Sequence, residues 1–190
     1  MKNDFDKVYI YYDNFMKFFD LYKEKEILQL LNLKGNEVIA DLGGGTGYLA
    51  KHLLPYCKEV YVIDESQMML SKINDDRIKV LCSDITNTNL ESNYFDIVIL
   101  TDVLHHIKEK DKLFIEINRI LKKDGWILIY DFEINNFKTK LLKIFEQILF
   151  NNNLYFFTKN QIEQLLLKYN FKEMDKIVKD FYFIILWEKK

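Results

Sequence analysis

Three aspartates, Asp41, Asp64 and Asp84, each stand at the end of a segment that is typical of a β-strand. Asp64 lies 19 residues after Gly45, the distance at which a carboxylate that ends the second strand of a βαβ unit meets the hydroxyls of a ribose. In open parallel sheets the ligand lies beyond the carboxyl ends of the strands. The three carboxylates are therefore candidate ligand contacts.

A glycine-rich turn follows the first of these strands. Its glycines are Gly43, Gly44, Gly45 and Gly47. The largely apolar run 38–42 precedes the turn, and helical spacing begins at Tyr48. Glycine tolerates positive φ and lets a ligand approach bare backbone, and the following helix would present its N-terminal amides to that ligand. The segment therefore predicts a strand, a binding loop and a helix.

Two classes of cofactor use such a turn. The spacing of Gly45, Gly47 and Ala50 satisfies the dinucleotide pattern G-x-G-x-x-A, which leaves a nicotinamide or flavin cofactor open. Asp41, two residues before Gly43, favours another ligand, because its charge would repel a pyrophosphate and suits an ammonium and a sulfonium group. The stretch 41–47 resembles the first motif of the class I S-adenosylmethionine (SAM)-dependent methyltransferases, acidic-x-Gly-x-Gly-x-Gly.

Two later segments resemble the same family. Residues 64–70, Asp-Glu-Ser-Gln-Met-Met-Leu, match its pattern Asp-x-Ser-x-x-Met-Leu, and residues 95–106 resemble the Phe-Asp-x-Val…Leu-His-His segment of its small-molecule members. The Asn-Pro-Pro-Tyr or Asp-Pro-Pro-Tyr motif of many amino-group methyltransferases is absent from the sequence, which weakens the case for a nucleic-acid base as acceptor. The resemblance implies cofactor binding by Asp41, Gly43, Gly44, Gly45, Gly47, Asp64, Glu65, Met69, Asp84, Ile85 and Thr101.

The resemblance also implies where four of these residues would bind. Asp41 would lie near the amino-acid end of the cofactor and Asp64 would bind its ribose. Asp84 would accept from the adenine amine, and Met69 would pack on the adenine face. Taken alone, a methionine in a helix more often belongs to the core, and an aspartate after a strand often caps a loop or helix.

A catalytic base is needed only if the methyl acceptor must lose a proton. His105 is the candidate base and His106 the second, because both follow the fourth strand at the edge where α/β folds bind ligands. One of two adjacent residues is expected to face inward. Tyr12 is a candidate substrate contact, since Tyr12-Asp13 resembles the Tyr-Asp of N-terminal segments that fold over the site in small-molecule methyltransferases.

Three functions follow from these residues. SAM-dependent methyl transfer to a small, apolar or aromatic acceptor uses all three aspartates. A catalytically silent SAM-binding subunit or regulatory module would keep the aspartates without enclosing an acceptor. An NAD(P)-dependent oxidoreductase would use the glycine spacing but would leave Asp41 and Asp84 without a role.

The composition narrows the class of protein. At 190 residues the chain is expected to form one domain, 1–190. The net charge of −2 and the lack of a long basic run give no electrostatic support for nucleic-acid binding. No run approaches the ~18 apolar residues of a membrane-spanning helix and the N-terminus lacks a signal-peptide pattern, so a cytoplasmic protein is expected. It is expected to be a monomer or a homodimer. Cys57 and Cys82 match no metal or redox spacing and are expected to be buried.

The elements that must position the site follow from the same resemblance. It implies a doubly wound α/β fold, a seven-stranded and mostly parallel sheet with its last strand antiparallel and helices on both faces. Residues 1–34 are predicted to form a helical cover over the cofactor site. Residues 135–157 are predicted to be a helical insertion, whose unusually apolar character suits the wall of an acceptor pocket or a dimer surface.

Overall fold

The computed structural model describes residues 12–133, 136, 155 and 157–190. The strands in this part of the chain are β1 (Val38–Leu42), β2 (Glu59–Asp64), β3 (Ile78–Cys82), β4 (Phe95–Thr101), β5 (Leu121–Phe132), β6 (Phe171–Val178) and β7 (Tyr182–Lys189). They form one sheet in the order β3-β2-β1-β4-β5-β7-β6. The first five strands are parallel, and β7 lies antiparallel between β5 and β6. The predicted fold class is confirmed.

The central strands have the continuous apolar character that parallel strands acquire when helices cover both faces. All five residues of β1 are buried, and β4 is buried through most of its length. The edge strand β6 differs, because most of its side chains are exposed. The core therefore lies along β2, β1, β4, β5 and β7 rather than at the edges of the sheet.

The described α-helices are α1 (Tyr12–Phe18), α2 (Glu24–Leu31), α3 (Tyr48–Leu53), α4 (Gln67–Leu70), α5 (Lys110–Ile120) and α6 (Lys159–Lys168). One buried cluster joins α5 and α6 to the sheet, and a second joins α2, α3 and α4 to it. The helices thus cover two faces, as predicted. No helix in these residues has both the length and the apolar character needed to cross a membrane.

The described part of the N-terminal segment contains two short helices, α1 and α2, within the predicted helical cover 1–34. The chain reverses between them at Asp20, whose φ is +51°. Tyr182 fixes α2 to the sheet, because its hydroxyl donates to both carboxylate oxygens of Glu26 at 2.8 and 2.7 Å. Most of the predicted insertion 135–157 lies outside the described residues, as does the side chain of Tyr12.

Two local predictions were wrong. Cys82 is exposed rather than buried, because it ends β3 at the edge of the sheet, whereas Cys57 is partly buried against the core. The run 126–132 predicts the fifth strand, and Lys-Lys-Asp-Gly at 122–125 predicts the end of the preceding helix. Instead β5 begins at Leu121, because that stretch already pairs with β4 through an irregularity near Phe95. Within that stretch Asp124 adopts a φ of +60°.

Candidate functional site

The glycine loop connects β1 to α3 at the carboxyl edge of the sheet. Two features of the structure require glycine at position 43. The φ of Gly43 is +75°, and a Cβ there would lie 2.5 Å from a methyl group of Val103. Gly45 has a φ of +52°, and among the described residues other than its chain neighbours no heavy atom lies within 4 Å of the position its Cβ would take, so its backbone is open to an approaching ligand. The loop is anchored by the Gly43 amide, which donates to the Ile63 carbonyl at 2.7 Å.

Asp41 lies directly behind this loop and is almost fully buried, at 1 % exposure. Neither of its carboxylate oxygens has a hydrogen-bond partner among the described residues. Burial, and secondly the nearby charge of Asp64, raises the pKa of Asp41 to about 7. A buried carboxylate without a partner costs stability unless a cationic ligand compensates it, and an ammonium group is such a ligand.

Asp64 joins the end of β2 to both the glycine loop and α4. Its Oδ2 accepts from the Gly45 amide at 3.0 Å, and its Oδ1 accepts from the Ser66 amide at 2.8 Å. Each carboxylate oxygen has a second lone pair, so these bonds orient the carboxylate and leave it able to accept from ribose hydroxyls. The predicted role of Asp64 is compatible with this geometry.

The adenine-side residues lie further along the same edge. The Oδ1 of Asp84 accepts from the amide and hydroxyl of Thr86 at 2.7 and 2.8 Å, which makes a local turn. Burial, and secondly the negative charges of Asp84 and Asp64, raises the pKa of Glu65. Both aspartates therefore lie close enough to Glu65 to repel its carboxylate. Met69 and Ile85 are buried.

A cavity of about 40 Å³ opens between the glycine loop and the N-terminal helices. Its lining includes five of the predicted cofactor residues, namely Asp41, Gly43, Gly44, Gly45 and Thr101. Met16, Tyr22 and Ile27 form the opposite wall, and Asp102 and Tyr130 come from the ends of β4 and β5. The other predicted cofactor residues, together with His105 and His106, are not among the lining residues.

The N-terminal wall is bonded to the glycine loop through Asp13. Its Oδ1 accepts from the hydroxyl of Thr46 at 2.6 Å and from the hydroxyl of Tyr22 at 2.7 Å. Tyr22 also stacks on Tyr48, the first residue of α3, with ring centroids 3.7 Å apart. Burial, and then the bond to Asp13, raises the pKa of Tyr22 far above 10, so this hydroxyl stays a donor. These contacts hold α1 and α2 against the loop.

His105 lies behind the cavity wall between two carboxylates. Its Nδ1 is 3.2 Å from Oδ1 of Asp131, and its Nε2 is 3.8 Å from Oδ1 of Asp102. All three side chains are buried. Each carboxylate lies nearest to a different ring nitrogen, whereas metal ligands aim their lone pairs at one point. The arrangement therefore favours an imidazole that shares protons with two acids.

His106 has a different environment from its neighbour. Burial, and secondly the adjacent His105, lowers the pKa of His106 well below 6.5. Its ring lies 4.1 Å from that of His105, between centroids, at a tilt of 45°. His106 is therefore neutral near pH 7, and His105 is the histidine held by acids.

Sequence reasoning missed three residues of this region. Asp102 lines the cavity with a φ of +60°, which is uncommon for a residue other than glycine. Asp131, the last residue but one of β5, was assigned only to a strand. Lys110 is buried, donates to the carbonyls of Ile107 and Tyr155 at 2.7 and 3.1 Å, and has its pKa lowered by burial to about 8. Position near the carboxyl end of a strand was the available signal for the two aspartates, and no local pattern marked Lys110.

The sheet order, the glycine loop and the carboxylates at its edge have the arrangement of a class I SAM-dependent methyltransferase domain. Residues 40–129 match the family profile described as a methyltransferase domain, which places that domain on β1 through most of β5.

Similar proteins extend the comparison. A ubiquinone/menaquinone biosynthesis C-methyltransferase, UbiE, of Hydrogenovibrio crunogenus is 29 % identical over 152 residues, 70 % of this chain and 58 % of that protein. A phosphoethanolamine N-methyltransferase of Arabidopsis thaliana is 31 % identical over 118 residues, 57 % of this chain and 24 % of that protein. The chain spans less than two thirds of the length of the curated relatives it matches.

A solved structure has the same fold over nearly the whole chain. The methyltransferase in the complex with the Trm112 methyltransferase activator of Haloferax volcanii superposes with a TM-score of 0.83 and 14 % identity. The match covers 99 % of this chain and 98 % of that one. At this identity the likeness concerns the fold.

Proposed function

We propose that this protein transfers the methyl group of SAM to a small, apolar or aromatic acceptor. The observation that carries the proposal is the buried carboxylate of Asp41, which bonds to none of the described residues and lies behind a glycine loop with an open backbone at Gly45. An ammonium group would compensate that charge, and the loop backbone accommodates a ligand at close approach. A dinucleotide pyrophosphate would instead be repelled by Asp41.

In this proposal, different residues of the chain bind different parts of the cofactor. Asp41 and the backbone of Gly43 and Gly45 bind the amino-acid end, Asp64 binds the ribose, and Asp84 and Met69 bind the adenine. The order of the strands supports this assignment. Strands β1, β2 and β3 are adjacent and end at the same edge of the sheet, so the residues at their carboxyl ends lie along that edge in the same order. When bound, SAM supplies an electrophilic methyl group on a sulfonium.

The acceptor is proposed to enter beside Asp102 and Tyr130. Aromatic side chains stand on three sides of the cavity, with Tyr22 on the N-terminal wall, Tyr48 on the loop side and Tyr130 on the sheet side. Such a wall suits a flat or apolar acceptor. It also favours an enzyme over a silent SAM-binding module, because a silent module has no need to enclose an acceptor. The named relatives are a C-methyltransferase of ubiquinone/menaquinone biosynthesis and a phosphoethanolamine N-methyltransferase, so they support more than one acceptor chemistry.

Calorimetric titration with SAM, S-adenosylhomocysteine and NADH tests the cofactor. We expect the first two to bind and NADH to give no heat of binding. Asp64→Ala should weaken SAM binding by about 1–3 kcal/mol, because ribose hydroxyls lose a charged acceptor. Asp75→Ala, which removes a carboxylate bonded to Arg77 away from the site, is the matched control. Binding of NADH alone would contradict the proposal.

A methyl-transfer assay tests the acceptor class. Radiolabelled SAM would be incubated with menadiol, catechol, thiophenol and phosphoethanolamine, and the labelled product measured. We expect transfer to an aromatic member of the panel. Transfer to phosphoethanolamine alone would contradict an apolar or aromatic acceptor.

A further inference from the structure

We propose that Asp102 is the residue of this chain that meets the acceptor and receives its proton, with His105 and Asp131 as positioning residues behind it. This inference rests on the proposed function and deepens it. It concerns acceptors whose attacking atom carries a proton.

The position of Asp102 is the first support. It follows Thr101 at the carboxyl end of β4 and lines the cavity, whereas His105 is buried at 2 % exposure and does not. Its left-handed backbone, with a φ of +60°, is a conformation that costs free energy and that proteins retain where surrounding structure enforces it. The Asp102 amide donates to the Tyr130 carbonyl at 2.9 Å, which holds this backbone at the end of β5.

The order of the three groups is the second support. From the cavity inward they are Asp102, His105 and Asp131, with separations of 3.8 and 3.2 Å at opposite ring nitrogens. A movement of less than about 1 Å brings the outer pair to hydrogen-bond distance. The inner pair fixes the ring, because Nδ1–H donates to Asp131 and so leaves Nε2 to face Asp102.

The inner carboxylate, that of Asp131, is itself held in place. Its Oδ1 accepts from the Phe132 amide at 2.8 Å, and the buried ammonium of Lys110 acts on Asp131 electrostatically. Lys110 also bonds the Tyr155 carbonyl, and the Tyr155 amide donates to the His105 carbonyl at 2.7 Å. The backbone and the ring of His105 are thus both restrained, which is what a positioning shell must do.

The reaction balances over these groups. The attacking atom of the acceptor bonds to the methyl carbon as the carbon–sulfur bond breaks, and that electron pair stays on sulfur. The acceptor proton passes to the Asp102 carboxylate and is shared with Nε2 of His105, where two carboxylates compensate the imidazolium charge. The methylated acceptor and S-adenosylhomocysteine leave, and the proton returns to solvent.

Nitrogen-15 NMR of the histidine-labelled full chain tests the relay. In the wild type we expect Nδ1 of His105 to carry a proton. In Asp131→Leu no acceptor remains beside Nδ1, so the ring proton should move to Nε2, where Asp102 can accept it. Asp102→Asn should leave Nδ1 protonated, and asparagine tolerates the left-handed backbone. His52, bonded to the Tyr48 carbonyl in α3, is the internal reference.

The methyl-transfer assay with menadiol and catechol tests the role of Asp102. We expect Asp102→Asn to lower the rate about 100-fold, with SAM affinity by calorimetry changed less than about threefold. Asp131→Asn should lower kcat more than it changes KM, as expected of a residue that positions a catalytic group. Asp175→Asn, an amide substitution on the exposed edge strand β6, should leave the rate unchanged.

The outcomes separate this inference from the proposed function. A wild-type His105 protonated at Nε2 alone, or an Asp102→Asn protein that transfers methyl at the wild-type rate, would overturn the inference even if SAM binds. The wild-type spectrum decides the first point even if a variant fails to fold. Failure of the wild type to bind SAM would overturn the proposed function instead, and the spectrum would still report on the relay.

Discussion

Asp41 is a buried charge that no described residue compensates, and this makes it costly in the protein without a cationic ligand. Its pKa is raised from 3.8 to about 7. Between these values the folded protein binds a proton that the unfolded chain releases, so stability falls as pH rises from about 4 to about 7 and is level above that range. The cost at pH 8 is about 4 kcal/mol.

Asp41→Asn should therefore raise the melting temperature of the ligand-free protein at pH 8 and change it little near pH 4, because the amide is neutral at both values. The same substitution should weaken SAM binding, since a charged partner of the ammonium is lost. Thermal denaturation at the two pH values, with calorimetry of SAM, measures both effects. A variant that is less stable than the wild type at pH 8 would contradict the buried charge as the cause.

Among the elements, α1 and α2 stand out because they close the site through very few polar contacts. Asp13 joins Tyr22 and Thr46, and the resulting cavity of about 40 Å³ is far below the roughly 300–1,000 Å³ of a site for a drug-sized ligand. In our assignment this cavity takes the amino-acid end of SAM, and we expect α1 and α2 to move from the glycine loop to admit it. The contact between Asp13 and Thr46 opposes that movement.

Thr46→Val should speed SAM association about fivefold, because one hydrogen bond worth about 1 kcal/mol no longer holds the helices closed. Stopped-flow fluorescence measures the association rate. Tyr169→Phe is the control, since it removes a bond to Asp111 of α5 and touches neither α1 and α2 nor the glycine loop. An association rate unchanged by Thr46→Val, or raised equally by Tyr169→Phe, would contradict release of α1 and α2 as the limiting movement.

Helix α5 is joined to the loop after β3 by a buried acid. Glu116 Oε1 accepts from the amide and hydroxyl of Thr88, and its carboxylate pairs with Arg119 at 2.7 Å. Burial alone would raise the pKa of Glu116, but the bonds to Arg119 and Thr88 outweigh it and lower the pKa to about 2. The stability this provides is complete above about pH 4.5 and is lost as pH falls toward 2.

Glu116→Gln should be less stable than the wild type by up to about 3 kcal/mol at pH 7 and nearly equal to it at pH 2. Urea denaturation at the two pH values measures the difference. Glu109→Gln, which removes an exposed acid paired with Lys112 just before α5, is the control and should change stability by less than 1 kcal/mol. A constant difference across this pH range would show that Glu116 acts through packing alone.

For the molecule as a whole, the sequence predicted the elements that local pattern determines. Continuous apolar runs marked β1 and β4, the four glycines marked the loop, and the carboxylates that end β1 and β2 fell at one edge of the sheet. Their position follows from parallel pairing, since Asp41 pairs with Val62 and with Ile99.

The parts that were missed depend on contacts between distant residues. Asp13 and Thr46 are 33 residues apart, and His105 and Asp131 are 26 apart, so no local pattern connects them. The left-handed backbone of Asp102 arises from its bond to the Tyr130 carbonyl and not from a glycine or turn signal. Tertiary structure decided these positions.

The place of β7 in the sheet has a consequence for synthesis on the ribosome. Residues 182–189 pair with β5 on one side and with β6 on the other, so a nascent chain ending at residue 181 holds two strands with nothing between them. One hydrogen-bonding edge of β5 then awaits the segment translated last in this sequence. Any pause or nick before that segment leaves the whole sheet unfinished, and the protein is expected to fold only after residue 189 has cleared the exit tunnel.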